Sequence, residues 1–148
     1  MNDQTPLSET NHPRSFRDGR YVYPVLSRRA GGISVGINLN PDKDCNFDCI
    51  YCQVDRSKPA TDEFVQMDAL RGELRAILTA LKPGGPLWHE PEFANLPPEK
   101  QRVVDLAFSG DGGPTTFRNF GKVVRATVEA KESLGFAEAK VVLITNAT

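Results

Sequence analysis

Two adjoining stretches decide the reading: Ile33-Ser-Val-Gly-Ile-Asn-Leu39, and, after Pro41, Cys45-Asn-Phe-Asp-Cys49-Ile-Tyr-Cys52. In the first, Ile33, Val35, Ile37 and Leu39 alternate with Ser34, Gly36 and Asn38. A period of two is the mark of a strand with one apolar face. Its small and polar partners suit a crowded or wet opposite face. In the second, all three cysteines of the chain fall within eight residues, spaced C-x3-C-x2-C. An odd, clustered set makes a poor disulfide framework and a good metal-ligand set. Short loops of this kind bring thiolates to an iron–sulfur cluster. Three thiolates hold three irons of a four-iron cubane and leave the fourth open to a small molecule. Zinc is the competing metal, but structural zinc prefers four closed ligands. His12 and His89 stand in no recognisable ligand spacing, and His89 beside Trp88 reads first as a surface or packing residue.

Outward from this core, a helix is expected over residues 62–82, with Met67, Leu70, Leu74, Ile77, Leu78 and Leu81 along one face. Pro83-Gly-Gly-Pro86 stops it. Residues 87–100 are proline-rich and carry Trp88 and Phe93, so they read as an ordered excursion that covers a surface. Val103–Phe108 is a second strand, running into Ser109-Gly-Asp-Gly-Gly-Pro-Thr115. A second helix over 116–134 is expected to bury Phe120, Val124, Thr127, Val128 and Leu134 and to close on Gly135. Lys140–Thr145 is the third strand. The order strand–helix–strand–helix–strand predicts an α/β domain with parallel strands.

The 148 residues are one domain in length, and 39% hydrophobic with 25% charged is ordinary globular composition. A polar segment over 1–20 is expected to be mobile, with the folded domain over 21–148. The net charge of -1 argues against bulk nucleic-acid binding. Locally, Arg14, Arg17, Arg20, Arg28 and Arg29 crowd one stretch. They are either solvated surface charge or contacts to an anionic substrate or RNA phosphate. No apolar run is long enough to span a bilayer, and the N-terminus lacks a signal-peptide core, so the reading is cytoplasmic with no membrane partner.

The cysteine triad, with Tyr51 before its last member, resembles the signature of the radical S-adenosylmethionine (SAM) superfamily. The wider run Val25–Asn38, followed by Lys43–Gln53, is similar to a subgroup of iron–sulfur oxidoreductases related to wyosine-base synthesis. The likeness covers about Tyr21 to Thr148. It implies a [4Fe-4S] cluster held by Cys45, Cys49 and Cys52, with SAM chelating the fourth iron and Tyr51 beside the adenine. It places the SAM amino group against Gly110, Asp111, Gly112, Gly113 and Pro114, where glycines let backbone approach a ligand closely. Gly113 departs from the family, which usually has an acidic residue there. Thr145 and Asn146 fall where the family uses polar residues for the SAM ribose or carboxylate.

The resemblance further implies reductive cleavage of SAM to a 5′-deoxyadenosyl radical that takes hydrogen from a substrate, and an electron donor of flavodoxin or ferredoxin type. The cofactors carry that chemistry, so no side chain is assigned as catalytic. The substrate is unreadable, with tRNA raised only by the wyosine likeness and the arginines. The family core is a partial (β/α) barrel of six parallel strands, and three strands with two main helices make half of one. The chain is therefore expected to be a truncated product or half of a split enzyme, with a complementing chain or oligomer covering the open edge after Ile144. Two readings compete: a non-enzymatic iron–sulfur module for binding or electron transfer, and a zinc-binding module.

Overall fold

The computed structural model describes residues 21–39, 66–109 and 119–144. These form four strands and two helices: β1 (Val22–Ser27), β2 (Gly32–Ile37), α1 (Met67–Ala80), β3 (Val103–Phe108), α2 (Phe120–Ser133) and β4 (Lys140–Leu143). Short 3-10 turns at Pro86–His89 and Pro98–Lys100 lie between α1 and β3. The strands stand in the order β1-β2-β3-β4. β2, β3 and β4 are mutually parallel, as the strand–helix alternation requires.

β1 is a correction. The sequence predicts three strands, all parallel; the described residues form four, and β1 runs antiparallel to β2. A strand containing Pro24 reads poorly, because proline cannot donate to a ladder and is confined to edges. The register resolves this. Asn38 donates its N–H to the Tyr21 carbonyl (2.7 Å). Antiparallel pairs alternate between bonded and non-bonded, which makes Pro24↔Val35 a non-bonded pair and turns the proline nitrogen outward. Residues 28–31 close the hairpin, and Gly31, at φ 73°, takes the left-handed conformation there.

The alternation in β2 sorts the two faces. Ile33, Val35, Ile37 and Leu39 are buried in one core with Leu70, Leu74, Leu78 and Leu81 from α1, Leu106 and Phe108 from β3, and Val123 and Ala130 from α2. At about 1.5–3 kcal/mol for each fully buried aliphatic side chain, this helix-covered face carries most of the stabilisation. Tyr21 ties β1 to α1: its N–H donates to Glu73 Oε2 (2.9 Å), and its hydroxyl accepts from the Gln66 N–H (3.2 Å) at the helix start.

The stretch after α1 folds back as an ordered excursion. Trp88 Nε1 donates to the carbonyls of Leu81 and Lys82 (3.1 Å each), satisfying the open end of α1, and its ring meets Phe93 edge-on at 6.4 Å. At the end of α2, Gly135 (φ 87°) donates to Glu132 O and Phe136 to Lys131 O, a Schellman closure.

The face of α2 is a second correction. Val123, Ala126, Thr127 and Ala130 are buried, whereas Phe120, Val124 and Leu134 are only partly so and Val128 is intermediate. The stripe is turned by one residue from the expected face. The helix packs against α1, and Phe120 leans edge-on against Phe108 at 5.3 Å. β4 ends at Leu143, short of the expected Thr145; Leu143 and Ile144 are 44% and 56% exposed. Among the described residues β4 has one strand neighbour.

Candidate functional site

The face of the sheet away from the helices carries a cleft of about 490 Å³. The register builds it row by row. Tyr23, Gly36 and Ala107 share one row, and Val25, Ser34 and Asp105 the next. Gly36 is the floor under the Tyr23 ring, and any side chain there would overlap that ring. The Tyr23 hydroxyl donates to the Ser109 carbonyl, so the ring is tethered across β2 to the end of β3. Ser34 donates its hydroxyl to Asp105 Oδ1, joining β2 to β3 on the same face. Arg28 and Arg29, both exposed on the hairpin, form one end of the cleft; Ser109 and Ile144 line it near the strand ends.

Of the small and polar partners in the alternating run, Ser34 and Gly36 therefore line this cleft, while Asn38 is buried. Tyr23 carries no signal of its own in the sequence, because Pro24 disguises β1 as a non-strand. Gly36 inside a strand was the available hint, since such a glycine marks close approach of another group.

The residues expected to hold cofactors — Cys45, Cys49, Cys52, Tyr51, Gly110, Asp111, Gly112, Gly113, Pro114, Thr145 and Asn146 — lie outside the described residues, as do the 1–20 segment and His12. What is described is where the chain enters their segments. Ile37 pairs with Phe108, and Phe108 with Leu143, so the C-terminal ends of three parallel strands stand in one row. Neighbouring strands are about 4.8 Å apart, which puts these ends within about 10 Å. The cysteine segment follows the first, the glycine-rich segment the second, and Thr145-Asn146 the third. In open α/β sheets ligands bind outside the carboxyl ends of the strands. His89 is described, exposed on the Pro86–His89 turn, and no group of three or more metal-ligating side chains occurs among the described residues. No helix among them is long and apolar enough to cross a membrane.

Comparison with known proteins gives longer relatives, each matched over part of its length. A UPF0026 protein of Methanocaldococcus jannaschii is 32% identical over 125 residues, 84% of this chain and 32% of the relative. A UPF0026 protein of Helicobacter pylori is 43% identical over 61 residues, 39% of this chain and 18% of the relative. A protein of Brachyspira hyodysenteriae named GTPase Obg is 24% identical over 121 residues, 80% of this chain and 15% of the relative. The chain thus spans between 15% and 32% of the length of these relatives. No family model matches, and no solved structure matches.

Proposed function

We propose that this chain binds a [4Fe-4S] cluster through Cys45, Cys49 and Cys52, with SAM beside it, as the N-terminal part of a radical SAM enzyme built on a partial (β/α) barrel. The observation that carries the reading is the row Ile37–Phe108–Leu143, because it starts all three candidate ligand segments from one end of a parallel sheet. The donor set fits: three thiolates in one short segment satisfy three irons and leave one for a chelating ligand.

The chain's own residues have distinct tasks in this reading. The cysteines anchor the metal. Backbone carbonyls of Gly110–Pro114 would accept from the SAM ammonium, so the shape of that segment would matter more than its side chains, and glycine in place of a carboxylate at Gly113 would remove one charged contact. Tyr51 would cover the adenine, and Thr145 and Asn146 would bond the ribose or carboxylate. The cleft face, opposite the helix-covered core, becomes the barrel interior, with Tyr23, Gly36 and Ala107 forming its wall. When bound, the cofactor pair supplies one-electron cleavage of a carbon–sulfur bond and, through it, hydrogen abstraction from a substrate. A small redox protein of flavodoxin or ferredoxin type supplies the electron.

Anoxic reconstitution with iron and sulfide tests this. The expected result is about four irons per chain and a spectrum of the reduced cluster that changes when SAM is added. One tightly bound zinc in place of iron overturns the proposal in favour of a zinc module. A cluster whose spectrum ignores SAM overturns it in favour of an electron-transfer module.

A further inference from the structure

Ser109 is the last described residue before the glycine-rich segment, and its backbone is held on both sides. Its N–H donates to the Ile37 carbonyl at the end of β2 (3.2 Å). Its carbonyl accepts from the Tyr23 hydroxyl. The first bond continues the parallel ladder. The second comes from a side chain on β1, two strands away.

The sequence makes room for that second bond. Tyr23, Gly36 and Ala107 share one row, so the phenol must pass over β2 to reach the end of β3. Glycine at 36 keeps the passage open, because an added Cβ would overlap the ring. Tyr23 is 1% exposed, and a buried hydroxyl needs an acceptor. The acceptor it takes is the carbonyl that hands the chain on to residues 110–114. That stretch, Gly110-Asp-Gly-Gly-Pro114, holds three glycines, and glycine leaves the backbone the widest choice of conformation. A ligand that binds through the backbone of such a segment must offset the entropy of ordering it. Fixing the residue before the segment lowers that cost and sets the direction of entry.

We propose that Tyr23 is a positioning residue for SAM: its hydroxyl fixes the Ser109 carbonyl, and with it the point at which the chain leaves β3 for the segment that receives the SAM ammonium. The inference rests on the radical SAM reading of Gly110–Pro114, whereas the tether from Tyr23 to Ser109 does not. Tyr23 touches no reacting atom in this scheme and acts through Ser109. One hydrogen bond of ordinary strength corresponds to about two- to twelvefold in affinity.

Tyr23→Phe keeps the ring over Gly36 and removes the tether. After anoxic reconstitution it should hold about four irons per chain, as the parent does. SAM titration, followed by the resonance spectrum of the reduced cluster, should show a midpoint about fivefold higher than the parent's. Val22→Ala is the control for general loosening of β1: Val22 lies in the helix-covered core, and its loss should lower the melting point yet leave the SAM midpoint unchanged. In the iron-free chain, amide hydrogen exchange over 109–115 should quicken in Tyr23→Phe while exchange over α1 stays as in the parent. An unchanged SAM midpoint in Tyr23→Phe overturns the inference and leaves the radical SAM reading standing. So does a Val22→Ala midpoint that rises as far, or unchanged exchange over 109–115. A parent cluster that ignores SAM removes the radical SAM reading and this inference with it, even where the exchange result holds.

Discussion

Gly36→Ala should lower the stability of the domain by about 3 kcal/mol, at the upper end of the usual cost of overpacking. The added methyl falls inside the Tyr23 ring, and that ring has little room to retreat, because its hydroxyl is bonded to the Ser109 carbonyl. Either the ring rotates off β2 and loses that bond, or β1 separates from β2. For a domain of this size the loss corresponds to a melting point about 6–12 °C lower. The decisive control is Tyr23→Ala. Removing the ring first should make Gly36→Ala far less harmful, a coupling that a double-mutant cycle reads directly. A Gly36→Ala chain that melts with the parent would show that the ring does not lie over this strand.

Cys45→Ala, Cys49→Ala and Cys52→Ala should each reduce bound iron from about four per chain to near zero after anoxic reconstitution. The broad absorption in the blue should disappear with it. A cubane held by two thiolates has two exposed corners and is lost to solvent, so the three substitutions should be equally severe. The pairing of β1 to β4 is made by other residues, and the melting transition of the apo chain should not move. His89→Ala separates the metals. His89 is exposed on its turn, and its removal should leave iron content untouched. A chain in which the cysteine variants hold as much iron as the parent would remove the cluster from consideration.

Much of the fold is legible in the sequence because burial and period coincide there. The alternation from Ile33 to Leu39 names the buried face of β2 correctly, and the leucines at 70, 74, 78 and 81 do the same for α1. Gly135 announces the end of α2 because only a residue at ease with positive φ closes a helix in that way. β1 was hidden for a specific reason. Its proline is harmless only on an edge, and edge position is a property of the whole sheet. The face of α2 is harder to read because β-branched and aromatic residues look more buried than alanines, whereas Ala126 and Ala130 are the ones buried on a helix that packs against α1. The site divides differently. Its ligand chemistry is written in local spacing, so the cysteine motif is readable from eight residues. The cleft is not, because Tyr23, Gly36 and Ala107 meet only through pairing across three strands.

The hairpin of β1 and β2 has a kinetic consequence. Ser27 and Gly32 pair across five positions, whereas Ile33 and Val103 pair across seventy. Closing the longer loop costs more chain entropy before any contact rewards it, and distant pairing slows folding. Tyr23 should therefore settle over Gly36 before β3 arrives, giving a nascent ribbon that later templates the parallel strands. Val25→Ala should accordingly retard refolding, while Val141→Ala in the last-paired strand should mainly hasten unfolding; the reverse pattern in stopped-flow traces would place nucleation at the far side of the sheet.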